Sequence, residues 1–167
     1  MSAIKFIRFL IPLCLIINVK CIAQSNGDQK KAKQYNQLKA RIESRKFYFH
    51  AQSATSQQGK TIQLTSEYFI KLNQDTLQVD LPYYGRAYSA SYSATDQPLQ
   101  FKTTEFVYGA DTTKKGGWNI AIQPKNNSGV SKINLSITSS GYCTMHVTSN
   151  TRSAISFYGT IQEYNYR

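Results

Sequence analysis

Hydrophobic and polar residues follow three successive patterns along this chain. Phe9 to Val19 (FLIPLCLIINV) is a nearly continuous apolar run. From Asp28 to Phe47, apolar residues recur at three- and four-residue spacing, with Ala32, Tyr35, Leu38 and Ile42 forming one narrow stripe. That spacing predicts an amphipathic helix, with Asp28 placed to cap its first turn. Beyond Phe47 the period drops to two. Short runs rich in aromatic and β-branched residues occupy 47–51, 61–65, 67–72, 76–81, 99–108, 117–123, 132–138, 142–149 and 154–161. Turn segments such as Asn73-Gln74-Asp75, Lys114-Lys115-Gly116 and Ser139-Ser140-Gly141 separate them.

No long helical pattern intervenes between these runs. The chain therefore reads as mainly β, an antiparallel meander folded into a sandwich or small barrel with one N-terminal helix. Alternation names the inward faces: Leu77, Val79 and Leu81; Trp118, Ile120 and Ile122; Ile133, Leu135 and Ile137; Ile155, Phe157 and Ile161. Gly159, inside the last run, marks a bulge or a close backbone approach.

The first apolar run has its own meaning. Lys5 and Arg8 precede it, and Cys21-Ile22-Ala23 offers a small-x-small site ahead of Gln24, the three-part layout of a secretory signal peptide. The run falls short of the roughly 20 residues a membrane-spanning helix needs. The expected product starts at Gln24, is periplasmic or secreted, and has no transmembrane segment. Acylation at Cys21 is the weaker alternative, because Lys20 stands where a lipoprotein site has a small residue; a retained anchor is weaker too. The expected organisation is a signal peptide over 1–23, a basic helix over 24–47 and one β-rich domain over 47–167.

Cleavage also removes Cys14 and Cys21, leaving Cys143 without a partner for an intramolecular disulfide. Cys143 alternates in phase with Met145 and Val147, so it reads as a small buried hydrophobe. Lys5, Arg8 and Lys20 are three of the chain's 20 basic residues, which leaves 17 against 9 acidic beyond Ala23. Most of that excess sits in Lys30, Lys31, Lys33, Lys39, Arg41, Arg45 and Lys46. Two readings stand: the solvated face of a docked helix, or adhesion to an anionic surface such as lipid headgroups or acidic polysaccharide. Nucleic acid is disfavoured, because the chain is expected outside the cytoplasm and no aromatics interleave with the basic run.

Leu81-Pro82-Tyr83-Tyr84-Gly85-Arg86-Ala87-Tyr88 continues to Tyr92 as the oddest segment. As extended chain it puts Tyr84, Arg86, Tyr88 and Tyr92 on one face, chemistry suited to sugars, carboxylates or a protein partner. The alternative is a barrel corner bent by Pro82 and Gly85, with tyrosine rings capping the core and Arg86 paired to Asp80 or Glu105. Together with Leu99-Gln100-Phe101, Gly117-Trp118-Asn119-Ile120, Ser140-Gly141 and Ile155-Ser156-Phe157-Tyr158-Gly159, this segment resembles the uncharacterised exported Bacteroidota family called domain of unknown function 4251. The resemblance implies one β-rich envelope domain after a signal sequence, with no assigned activity.

Catalytic chemistry is thin. The two histidines, His50 and His146, fall on different strands, and no metalloprotease helix, paired carboxylates, nucleophile elbow or phosphate-cradling glycine loop is present. No catalytic residue, metal or cofactor is expected. Asp75-Thr76-Leu77 and Asp111-Thr112-Thr113 are similar to the O-glycosylation acceptor pattern of Bacteroidota, with Thr112 the better candidate and unmodified turn residues the alternative. The function these features favour is a non-catalytic binding or envelope-interaction module. A barrel-type carrier of a small ligand is the runner-up and a hydrolase the third. An open apolar interior would favour the carrier, a filled core with a wet outer face the interaction module, and histidines converging with acids the enzyme.

Overall fold

The computed structural model describes residues 22–85, 98–125 and 129–163. Helix α1 (Ile22–Glu43) leads into β1 (Lys46–Ser56), β2 (Thr61–Asn73), β3 (Thr76–Leu81), β4 (Leu99–Thr103) and β5 (Phe106–Thr112). Four more strands follow, β6 (Trp118–Pro124), β7 (Val130–Ile137), β8 (Tyr142–Ser149) and β9 (Ile155–Gln162). The chain divides into two compact units between Gln34 and Tyr35, within α1.

In the N-terminal unit, α1 starts at Ile22 and runs through Asp28. Asp28 is thus interior to the helix rather than its cap, because nothing between Ile22 and Asp28 removes a backbone donor as proline would. Residues 27–34, including Ala32, are exposed, so the apolar stripe reduces to Tyr35, Leu38 and Ile42 of the second unit. The helix ends earlier than the spacing predicts. Ser44 N–H donates to the Ala40 carbonyl at 3.0 Å, Arg45 takes a left-handed φ of 54°, and Lys46 and Phe47 enter β1.

The nine strands form one antiparallel sheet in the order β4-β3-β2-β1-β9-β8-β7-β6-β5. Pairing of the first strand with the last converts the meander into a barrel. The two ends of that order, β4 and β5, are successive stretches of chain separated only by Thr104 and Glu105. They run in the same direction, so together they act as an eighth strand whose first half pairs with β3 and second half with β6. Stagger confirms the closure. Gln100, Asp80, Phe69, His50, Thr160 and Tyr142 are successive cross-strand partners. The ladder continues through Thr138 and Gly117 to Thr113, thirteen residues beyond Gln100 on the same stretch. Such a shear is what tilted strands need to close. The architecture is a nearly closed barrel, which settles the choice between sandwich and barrel.

The nine runs expected from alternation and the nine observed strands agree in number through two offsetting differences. Runs 61–65 and 67–72 are one strand, β2, that passes a register shift in β1 between Ala51 and Ser53. Run 99–108 is broken where the Thr103 hydroxyl accepts from the Glu105 N–H at 3.0 Å, a local side-chain bond that competes with the ladder.

Every residue assigned inward by alternation is buried, as are Cys143, Met145 and Val147. Phe47, Phe49, Ile70, Leu72 and Phe157 join them to fill the barrel interior. At the register shift, Ala51 pairs with Gly159, and a Cβ on Gly159 would collide with the His50 carbonyl oxygen and meet the Phe49 ring at 3.0 Å. Gly159 is therefore a close-approach glycine beside a bulge.

Candidate interaction surface

Side chains plug both ends of this barrel. At one, the Tyr35–Glu43 turns of α1 insert Leu38 and Ile42, and Tyr35 stacks on Trp118 with centroids 5.2 Å apart. The Tyr108 hydroxyl donates to the Ile42 carbonyl, and the Arg45 guanidinium lies 4.9 Å over the Tyr108 ring. At the other end, Tyr83 is buried, with its hydroxyl 3.0 Å from both the carbonyl and the Oγ of Ser153 and the Arg152 guanidinium over its ring. A Cβ at Gly85 would run into the Tyr83 phenol, so glycine is what lets the chain pass over this plug.

The tyrosine and arginine segment is thereby divided. β3 stops at Leu81, Tyr83 caps the core as the corner reading expected, and Tyr84 is 37% exposed. Partial burial first, and Tyr68 second, raise the Tyr84 phenol above its ordinary pKa. Arg86, Tyr88 and Tyr92 lie outside the described residues. So does any pairing of Arg86 with an acid; the Asp80 carboxylate accepts from Gln100 at 2.9 Å.

The basic stretch is likewise not one surface. Lys39 pairs with Glu43 at 3.7 Å, Arg41 with Glu163 at 3.0 Å, and Arg45 covers Tyr108. Lys30, Lys31 and Lys33 are exposed on the N-terminal unit, while Lys46 lines a cleft with Arg41, Ser44 and Asn73. The histidines do not converge: Thr160 and Ser156, their partners on β9, are four residues or roughly 13 Å of strand apart. His146 is hydrogen-bonded to the Ser156 hydroxyl at 2.7 Å. Among the described residues no group of three His, Cys, Asp or Glu side chains is placed to hold a metal. Thr112 is exposed at the end of β5, and Thr76 is half-buried at the start of β3. Ala23 and Gln24 fall within α1.

Register brings together two residues that the sequence reading did not single out. Tyr142 and Tyr158 are 49% and 45% exposed on the outer wall, their ring centroids 6.1 Å apart and planes within 11°. Cross-strand partners Asn119, Ser136, Thr144, Tyr158 and Ser53 form one row through this shelf; Thr138, Tyr142, Thr160 and His50 form the next. The positions named carry no carboxylate, lysine or arginine; the first row meets Asp111 beside Asn119, and the second reaches Asp80 two strands beyond His50. Alternation marks both tyrosines as outward, but only the β8–β9 register makes them neighbours.

Residues 29–161 match the family model described as Domain of unknown function (DUF4251). The chain belongs to the DUF4251 family. The match runs from α1 to Ile161 in β9, taking in the plug and the tyrosine shelf alike. The fold is similar to that of a DUF4251 family protein from Bacteroides eggerthii, whose crystal structure aligns with a TM-score of 0.62 at 20% identity. That alignment covers 79% of this chain and 89% of the other. At this identity the likeness is one of fold. Comparison with curated proteins found no match.

In this DUF4251 barrel the single cysteine of the described residues is structural. Burial pushes the Cys143 thiol from 9.0 up to about 12, and burial, partly offset by Arg45, pushes the Tyr108 phenol from 10.0 up to about 12. Both groups favour the folded state while neutral, so their contribution is complete below the unfolded pKa values and is lost as pH rises through the folded ones. Thermal melts should show stability falling between about pH 9 and 12, and Cys143→Ala should flatten that decline. Native protein at pH 8 should resist thiol reagents until denaturant is added; rapid native labelling would place Cys143 at the surface.

Proposed function

We propose that this protein is a non-catalytic interaction module of the cell envelope, exported by its N-terminal segment, and that it works through the outer wall of its barrel. The observation that carries the reading is the filled interior. Large aliphatic and aromatic side chains occupy the barrel, and α1 and Tyr83 close its ends. A carrier needs an open interior, for which the buried side chains among the described residues leave little room, so this reading places the chemistry available to a partner outside. The most distinctive part of that outside is the shelf of Tyr142 and Tyr158 within hydroxyl and amide rows. Tyrosine faces stack on sugar rings while Ser, Thr and Asn side chains exchange hydrogen bonds with sugar hydroxyls, so the shelf suits a polysaccharide of low charge.

Retention of the exported chain on neutral polysaccharides in affinity electrophoresis tests this. The Tyr142→Ala/Tyr158→Ala double variant should lose tenfold or more in affinity, as anchor residues do, about 1.4 kcal/mol or more. Its melting temperature should move little, since both rings are half exposed. Equal retention of the variant and the parent would sink the shelf as the working surface. For the export half of the reading, the intact mass should correspond to a chain beginning at Gln24, and a lipid on Cys21 would redirect it.

A further inference from the structure

The barrel closes on β4, and β5 continues past the point where β3 can accompany it. The β3–β4 ladder ends with Leu77 opposite Thr103, and just beyond Leu77 the hairpin turns back into β2 through Gln74 and Asp75. β5 is therefore paired on one side only, by β6. The bonds that flank this pairing show which backbone groups it uses. Lys125 N–H donates to the Glu105 carbonyl at 2.9 Å, and Thr113 N–H to the Gly117 carbonyl at 2.8 Å. Bonded and non-bonded residues alternate in an antiparallel ladder, so Val107, Gly109 and Asp111 bond to β6. Phe106, Tyr108, Ala110 and Thr112 then aim their N–H and C=O groups at the other edge, where no backbone bond among the described residues meets them.

This edge is open and lacks the usual protection. Val107 is half exposed, Gly109 to Thr112 are exposed, and a Cβ on Gly109 would meet nothing within 4 Å. Sheet edges are commonly blocked by a lysine, a proline or a bulge. Phe106–Thr112 contains neither lysine nor proline, and its pairing with β6 has no register shift. In a chain with 20 basic residues, this strand carries none and has Asp111 as its one charge.

We propose that the free edge of β5 pairs with the same edge of a second copy of this chain, antiparallel about a twofold axis through Gly109. That register sets Tyr108 opposite Ala110 and Phe106 opposite Thr112 of the second copy, and the reverse. Each of these pairs exchanges two backbone bonds, about eight in all. Gly109 faces its own copy with no side chain between them, and Asp111 falls opposite Val107 rather than opposite another acid. At both ends Glu105 comes opposite Thr113 of the second copy, beside its exposed Lys114-Lys115 turn, so opposite charges meet there. A charged peptide would find one acid along the edge to answer, whereas a second copy satisfies every free backbone group. The contact does not depend on the tyrosine shelf or on the polysaccharide reading.

Sedimentation of the exported chain between about 10 µM and about 1 mM should show a shift from one chain to two, the range for a contact smaller than a standard interface. Ala110→Pro removes an edge N–H that β6 does not use, and should weaken association about tenfold or more while the melting temperature of the dilute protein holds. Gly109→Lys and Gly109→Glu each set like charges face to face across the axis and should weaken it likewise. An equimolar mixture of those two should restore the dimer, because the register places residue 109 against itself. The Tyr142→Ala/Tyr158→Ala variant should associate as the parent does. A parent that stays monomeric throughout, a dimer that survives in any folded β5 variant, a mixture that does not restore it, or loss in the tyrosine variant would each overturn the proposal. Should Ala110→Pro fail to fold, the Gly109 variants decide the matter.

Discussion

Gly159→Ala is expected to destabilise the barrel by about 3 kcal/mol, near the upper end for overpacking, and Gly159→Val to leave no folded protein. The added Cβ would point at the carbonyl oxygen of His50, with the Phe49 ring 3.0 Å away. A side chain in the way could rotate. A backbone carbonyl on the strand that closes the barrel cannot, because moving β1 disturbs its pairing with both β2 and β9. Gly109 on β5 is the control, since a Cβ there meets nothing within 4 Å, and Gly109→Ala should change stability by no more than about 0.5 kcal/mol. Chemical denaturation of the two variants decides the matter; a Gly159→Ala protein as stable as the parent would show that β1 and β9 have room to separate.

Gly159 also shows what a sequence can and cannot disclose. A glycine inside an alternating run signals close approach, but not to what; the partner depends on which strand lies alongside. Alternation placed the inward residues of β3, β6, β7, β8 and β9 correctly because burial is a property of each strand's own face. It joined 99–108 into one run because the chain does continue as one strand there, interrupted only by the Thr103 turn. The helix stop was illegible for a different reason. Arg45 adopts a left-handed conformation usually signalled by glycine or asparagine, and it is held by the Gln74 N–H donating to its carbonyl at 2.8 Å, a contact 29 positions away in sequence.

Surface sites follow the same logic. Tyr142 and Tyr158 are sixteen positions apart, so they form no local motif. They become a pair only through strand register, which the sequence specifies as an alternating pattern and not as a list of neighbours. The basic stretch of α1 did form a local motif, and the fold divides it: Arg41 and Arg45 are drawn into contacts with Glu163 and Tyr108, whereas Lys30, Lys31 and Lys33 stay solvated. Local clustering thus overstated one surface and gave no sign of the Tyr142–Tyr158 pair.

Trp118→Ala should cost about 3–5 kcal/mol, the range for removing a large buried aromatic. The indole is 4% exposed, opens β6 between Thr112 and Ile137, and supports the Tyr35 ring on its face. Its removal leaves a cavity at the plugged end and takes away the platform that holds the second half of α1. Two effects therefore combine, and a double-mutant cycle separates them. If the stacking is a real contributor, Tyr35→Ala and Trp118→Ala should couple by about 0.5–1.5 kcal/mol, as aromatic pairs do. Additive losses would assign the whole effect to the cavity and leave α1 anchored by Leu38 and Ile42 alone. A Trp118→Ala loss below about 1 kcal/mol would contradict the inward phase of β6 itself, and with it the filled interior on which the outer-wall reading of function depends.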